Sequence, residues 1–271
     1  MDGNKDLGFE ILKDEIEKLI GFECDKYSEK FLKRRIGVRM KISGAGEDYK
    51  AYAQIIKDNE EERRRLKKEL TVHTTNFFRD KSLWELLTRE IIPSALSKNK
   101  LTDSITIWSA GCSTGEEPLT IAICALEAQA SSIRKKKIKI IATDIDPETI
   151  KKAQEARYEE EQFKEMEPRL KEKYFLKNAD GTYSPTSGIR QCIEYQVQNI
   201  LTAKITGCEM IFCRNTVIYL DLEAKRWLYS KFHKSLKEEG FLVLGKSEIL
   251  QGEAKDMFQP YDNDERVYVR I

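Results

Sequence analysis

What this sequence has little of narrows its class before any motif is read. No apolar run exceeds six residues, the longest being Ile121 to Leu126, far short of the roughly 20 needed to cross a bilayer. The first residues, Met-Asp-Gly-Asn-Lys-Asp, are polar and charged, so neither a signal peptide nor membrane insertion is expected, and the location implied is cytoplasmic. Charge of one sign is missing too: 47 basic residues meet 46 acidic ones, a net charge of +1. That balance gives no global pull toward nucleic acid or an anionic membrane, so a charged partner has to be recognised locally. The six cysteines form no Cys-x-x-Cys pair and are accompanied by only two histidines. No metal site and no disulfide framework is expected, and the thiols read as reduced and mostly buried.

Glycine and proline are rare over residues 1–70, where apolar residues return at three- and four-residue steps, as in Leu7, Ile11, Ile16, Leu19 and Ile20. This predicts a small helical domain. Gly44-Ala45-Gly46 is its clearest turn, followed by an amphipathic helix marked by Tyr49, Tyr52, Ile55 and Ile56. The run Glu60 to Arg65 reads as a solvated, self-paired face. Residues 26–41 differ, with seven basic side chains against Glu29 alone, a net +6 in sixteen residues. A basic helix on a near-neutral chain suits an acidic partner; a protein surface fits better than nucleic acid, because no other tract matches its net charge.

The chain is organised around residues 105–120. Ile105 and Ile107 alternate with Thr106 and lead through Trp108 into Gly111 and Gly115, the pattern of a strand entering a tight turn. Ser113 or Thr114 can then cap a helix whose first turn holds Glu116 and Glu117. The turn has neither the Lys of a phosphate loop nor a full Gly-x-Gly-x-x-Gly. A second strand, with Ile138, Ile140 and Ile141, ends in Thr143-Asp144-Ile145-Asp146, and an acid at that point of a βαβ unit commonly holds ribose hydroxyls. Two readings are open. The carboxylates simply satisfy a helix dipole, or they hold a ligand with a ribose and a cationic end but no phosphate, such as S-adenosylmethionine.

Five ordered segments carry a more specific signal: Thr75-x-Phe77-Phe78-Arg79-Asp80; Trp108 to Pro118; Thr143 to Asp146; Ile211 to Asn215 with Tyr219 and Asp221; and Leu244-Gly245-x-Ser247-Glu248. Together they resemble the chemotaxis-receptor glutamate methyltransferase (CheR-type) family over nearly the whole chain, and Phe31 to Met40 resembles that family's N-terminal helical domain. The resemblance implies an α/β fold: a Rossmann-like S-adenosylmethionine methyltransferase sheet with an N-terminal all-helical domain and a small inserted antiparallel β-subdomain. The expected boundaries are residues 1–70 for the helical domain, 71–90 for a linker contributing to the site, and 91–271 for the cofactor domain, with the β-subdomain at about 174–198.

The resemblance also implies roles. Glu117 would meet the methionine end of the cofactor and Asp144 the ribose, while Asn199, Ile200, Asn215 and Thr216 would line the adenosine pocket beside Gly111. His73, Thr75 and Arg79 match linker positions near the reacting sulfur, and Arg79 with Tyr219 are the catalytic candidates. Arg34, Arg35 and Arg39 are expected to bind the substrate, the acidic helices of methyl-accepting chemotaxis receptors; in some members the β-subdomain also binds a peptide at the receptor's C terminus. His73 replaces the family's usual Asn, and Thr216 a usual apolar residue. The product would be a glutamate methyl ester, with S-adenosylhomocysteine left behind. A glutamate carboxylate, with an ordinary pKa of about 4.3, is already ionised at neutral pH, so methyl transfer to it needs no general base and rests on proximity and orientation. Nitrogen methylation and a non-catalytic cofactor-binding signalling module remain as alternatives.

In the rest of the chain, Cys192 to Val197 alternates and reads as part of the short antiparallel strands, residues 222–239 as a helix ended by Gly240, and Val267-Tyr268-Val269 as the final edge strand.

Overall fold

The computed structural model describes residues 2–71, 75–98, 103–130, 132 and 135–271. The chain divides into two compact units, Met1–Val72 with Tyr219–Lys225, and His73–Ile218 with Arg226–Ile271.

The smaller unit contains α1 (Asp2–Ile20), α2 (Glu29–Ser43), α3 (Tyr49–Asp58) and α4 (Glu60–Leu70). Local chemistry sets the ends of these helices. Gly44, at φ 83°, stops α2 in the left-handed conformation that glycine adopts without strain. The Asp48 side chain accepts the Lys50 and Ala51 amides at the start of α3, and Asn59 accepts the Glu62 amide at the start of α4. Phe9, Leu12, Ile16, Leu32, Ile36, Tyr52, Ile56 and Leu66 form the buried core. Of the pattern read from sequence on α1, Ile16, Leu19 and Ile20 face this core, whereas Leu7 and Ile11 point to solvent and Phe9 and Leu12 take the inward positions. Within the acidic and basic run, Arg64 pairs with Glu60 and Arg65 with Glu61, as expected of a solvated face. Glu62 departs from it and is buried.

The larger unit is built on a seven-stranded sheet in the order β5-β2-β1-β6-β7-β9-β8. Its strands are β1 (Ser104–Ala110), β2 (Lys137–Asp144), β5 (Ile193–Val197), β6 (Cys208–Cys213), β7 (Leu236–Leu244), β8 (Phe258–Asp262) and β9 (Val267–Arg270). The first five pair in parallel, and β9 pairs antiparallel with both β7 and β8, so the sheet is mixed and mostly parallel. The separate two-stranded sheet, β3 (Phe175–Lys177) with β4 (Tyr183–Pro185), is antiparallel.

Three expectations change here. Cys192–Val197 does not extend the small sheet; β5 runs parallel to β2 with Ile140 opposite Ile193, since alternation alone does not distinguish a parallel edge strand from an antiparallel hairpin. Residues 267–269 are not the edge, because β8 pairs on their outer side. The helix starting at Leu222 ends at Ser235, and Leu236 already pairs with Cys208; the excess residues form a bulge containing Glu239 at φ 55°.

The expected linker is largely core. Phe77, Phe78, Leu83, Trp84, Leu87 and Ile91 are buried with the apolar residues of the sheet. They come from the segment that carries α5 (Lys81–Leu86), a π turn (Leu87–Ile91) and α6 (Ile92–Lys98). Among the described residues no helix is long and apolar enough to cross a membrane.

Candidate active site

The parallel strands end together, and the loops and turns that leave their C-terminal ends make the site. β1 delivers Gly111 at φ 88°, and the Gly111 and Cys112 amides both donate to the Thr143 carbonyl of β2, at 2.8 and 2.9 Å. Gly115, at φ 97°, precedes α7 (Glu116–Ala128). A Cβ at Gly111 would lie 2.5 Å from Thr216 Oγ1, and one at Gly115 would crowd the hydroxyls of Tyr195 and Tyr158. Both glycines are therefore required by conformation and by space. Neither Ser113 nor Thr114 caps α7; Gly115 holds the cap position, and Thr114 Oγ1 donates instead to the buried Glu116 at 2.7 Å.

Asp144, at the end of β2, accepts the Ser113 amide at 3.0 Å and the Asp146 amide at 3.1 Å. Its carboxylate is buried against the turn. Two buried polar atoms next to it have no partner, Ser113 Oγ and Gln198 Oε1, and the Gln198 amide donates to the Asp144 carbonyl at 2.9 Å. Unpaired buried oxygens are costly unless a ligand completes them, so this cradle suits the hydroxyls and ring nitrogens of a nucleoside.

Glu117 stands in the first turn of α7. Ser109 Oγ donates to it at 2.7 Å and Arg214 Nη1 approaches at 3.4 Å. Burial pushes its carboxyl above the usual range, while Arg214, Ser109 and the field of Arg79 pull it back. Arg214, which follows β6, is itself buried: besides Glu117 it donates to Asp80 Oδ2 at 2.6 Å and to the Arg79 carbonyl at 2.9 Å, with its guanidinium 5.3 Å from the Trp84 ring centroid. Phe78 and Asp80 both have positive φ, at 56° and 65°, so Arg79 sits on a sharp corner whose carbonyl is held by Arg214 and by Trp84 Nε1.

Asn215 and Thr216 follow Arg214 in a loop organised by Glu248. That buried carboxylate accepts the amides of Asn215, Thr216, Ile218 and Gly245 at 2.7 to 3.1 Å. Asn215 is left-handed at φ 57°. A Cβ at Gly245 would come within 2.9 Å of the Asn215 amide, so the glycine is needed there. Asn199 and Ile200 form the turn after β5, with Asn199 Oδ1 accepting the Leu201 amide at 2.9 Å.

Gly111, Glu117, Asp144, Asn199, Ile200, Asn215, Thr216, Thr75 and Arg79 all belong to the larger unit. His73 lies outside the described residues. Tyr219 belongs instead to the helical unit: its carbonyl accepts the Ser28 amide at 2.9 Å and its ring packs on Phe31 at 4.7 Å.

The expected substrate-binding arginines separate. Arg39 forms a fork with buried Glu62, at 3.0 and 2.6 Å, and Tyr52 donates to the same carboxylate at 2.8 Å. Arg35 pairs with Glu69 at 2.7 Å. These two are structural and only Arg34 of the three is exposed, on a face shared with Lys30, Val38, Lys41 and Ile42. The +6 count overstated the outward charge because a net count does not see where a helix turns its side chains.

Sequence reasoning assigned no role to Arg214 or Glu248. A signal was present: each is a lone charge beside an apolar strand, β6 or β7, and a buried charge has to be paired.

A mostly parallel sheet with a glycine turn, an acid closing the second strand and no phosphate loop fits an S-adenosylmethionine-dependent methyltransferase. The comparisons with known proteins give the family. The description "CheR methyltransferase, SAM binding domain" matches residues 73–267 and "CheR methyltransferase, all-alpha domain" matches residues 7–71; the chain belongs to the CheR methyltransferase family. It is similar to the chemotaxis protein methyltransferase of Borreliella burgdorferi, 28% identical over 263 residues, covering 91% of this chain and 92% of that one. The chemotaxis protein methyltransferase of Listeria innocua is 30% identical over 247 residues, 86% of each chain. Chemotaxis protein methyltransferase 1 of Pseudomonas aeruginosa is 27% identical over 251 residues, covering 89% of this chain and 90% of that one.

Proposed function

We propose that this protein methylates glutamate side chains of chemotaxis receptors on their cytoplasmic helices, using S-adenosylmethionine and leaving S-adenosylhomocysteine. The observation that carries this reading is the Asp80–Arg214–Glu117 bridge, which ties the Arg79 corner to the acidic cofactor turn. When bound, the cofactor supplies a methyl group on a positively charged sulfur. Glu117 accepts hydrogen bonds from its amino group, kept toward its charged form by Arg214. Asp144 accepts from the ribose, with Ser113 Oγ and Gln198 Oε1 completing the polar wall. Asn199, Ile200, Asn215 and Thr216 line the adenosine side, and Gly111 leaves room beside Thr216. Thr75 lies on the segment leading to Arg79.

Arg79 orients the substrate carboxylate. A contact to one oxygen fits better than a fork, since two hydrogen bonds would draw electron density from the nucleophile. No residue has to remove a proton, because the carboxylate is already ionised. Catalysis thus rests on holding an anionic oxygen near a cationic centre in a partly dry site. Tyr219, carried by the helical unit, is proposed to contact the substrate. The acidic receptor helix is met by the outward cations of α2, Lys30, Arg34 and Lys41.

The test is transfer of a tritiated methyl group to receptor-bearing membranes. Alkali-labile counts in the receptor are expected, as for esters. Alkali-stable counts would mean nitrogen methylation, and cofactor binding without counts would mean a non-catalytic module.

A further inference from the structure

We propose that Lys231 is a positioning residue for the cofactor pocket, its ammonium group holding the Asn199–Ile200 turn in the shape that accepts the adenosine end. This rests on the pocket reading above. Lys231 lies half-buried on the helix Leu222–Ser235, and its Nζ donates to the Ile200 carbonyl at 2.7 Å. The same Nζ stands 5.7 Å from the ring centroid of Trp108 and 5.2 Å from that of Trp227. Among the described residues no carboxylate pairs with it. One carbonyl and two aromatic faces are its counter-groups.

A lysine with a free choice extends its ammonium into water. This one keeps it against the sheet, and burial lowers its pKa to about 8; the arrangement persists because the carbonyl and the ring faces replace part of the lost hydration. The other acceptors of the turn are engaged within it: Asn199 Oδ1 takes the Leu201 amide, and the Asn199 carbonyl takes those of Thr202 and Ala203. The Ile200 carbonyl fastens the turn to the helix Leu222–Ser235. Trp108 belongs to β1, the strand that leads into Gly111, so one side chain links the Asn199–Ile200 turn to the strand that begins the glycine turn.

Lys231→Met removes the charge and keeps the aliphatic stem, and Lys231→Arg keeps a charged donor. S-adenosylhomocysteine binding, measured by titration calorimetry, should weaken about tenfold in Lys231→Met, the value of one charge-assisted hydrogen bond. Adenosine alone should weaken by a similar factor. The Michaelis constant for S-adenosylmethionine should rise in parallel, with kcat at saturating cofactor within about twofold of wild type. Lys231→Arg should recover most of the affinity. If Lys231→Met does not fold, Lys231→Gln replaces it. Asp144→Ala serves as the reference: if it too leaves affinity unchanged, the pocket itself is misassigned. If Asp144→Ala weakens binding and Lys231→Met does not, or if Lys231→Met lowers only the melting temperature, the proposal for Lys231 is overturned while the pocket stands.

Discussion

Arg214 donates to the Asp80 carboxylate at 2.6 Å although the two lie 134 residues apart in sequence. Through the other arm of the same guanidinium Arg214 meets Glu117, so one buried cation fastens the corner carrying Arg79 to the start of the helix that follows the glycine turn. Replacing it with Met would leave Asp80 and Glu117 without their cation. Arg214→Met should lose about 3 kcal/mol of stability together with most of its turnover, measured by denaturant unfolding and methyl transfer. Arg214→Lys should recover stability more than turnover, because an ammonium cannot serve three acceptors in the geometry of a planar fork.

Asp144→Ala should weaken S-adenosylhomocysteine by about tenfold or more, since charge-assisted hydrogen bonds to ribose are lost and the Ser113 amide loses its acceptor. Titration calorimetry reads the change directly; unaltered affinity would remove Asp144 from the pocket.

Arg79→Ala should lower turnover about a hundredfold while the fold stays intact and cofactor affinity changes little, because the proposed contact is with the reacting carboxylate. Arg79→Lys separates charge from shape. Partial recovery would mean that charge matters most, and none would mean that the planar donors do.

Receptor recognition should follow the outward cations of α2 and not its internal ones. Changing Lys30, Arg34 and Lys41 together to Glu should raise the Michaelis constant for the receptor severalfold and flatten its salt dependence, with cofactor affinity unaltered. Each exposed pair contributes at most about 1 kcal/mol, which is why three are changed at once. Kinetics identical to wild type across a salt series would leave α2 as a solvated face.

Acid should loosen the helical unit through Glu62. Burial raises its pKa, but the Arg39 fork and the Tyr52 hydroxyl outweigh that and hold its carboxyl below the usual range. Its folded value therefore lies below its unfolded one, so its contribution is complete above about pH 5 and lost as pH falls through the carboxylate range toward the folded value. Glu62→Gln should cost about 2 kcal/mol at neutral pH and give thermal unfolding that depends less on pH between about 3 and 5. An unchanged pH profile would show that Glu62 does not control acid stability.

Much of the candidate site was legible because its signals are local. Gly111 and Gly115 need positive φ, Asp144 closes a strand of buried isoleucines, and Asn215 and Thr216 follow another apolar strand; each of these is a statement about neighbours in sequence. Arg214 and Glu248 were missed as functional residues because their partners are distant: Asp80 and Glu117 for one, and the amides of residues 215, 216 and 218 for the other.

The amino-acid sequence by itself determined the all-helical start of the chain, the alternation of strands and helices after it, and the strand, glycine turn and acidic helix at the centre. Periodicity and backbone preference act over a few residues, so they survive without tertiary context. Only the tertiary structure decided that β5 joins the main sheet, that Tyr219 belongs with Phe31, and that Arg39 turns inward to Glu62 while Arg34 turns outward. Strand order and charge pairing are settled by whichever distant groups packing brings within a few ångströms, and a buried charge accepts the partner that the fold supplies.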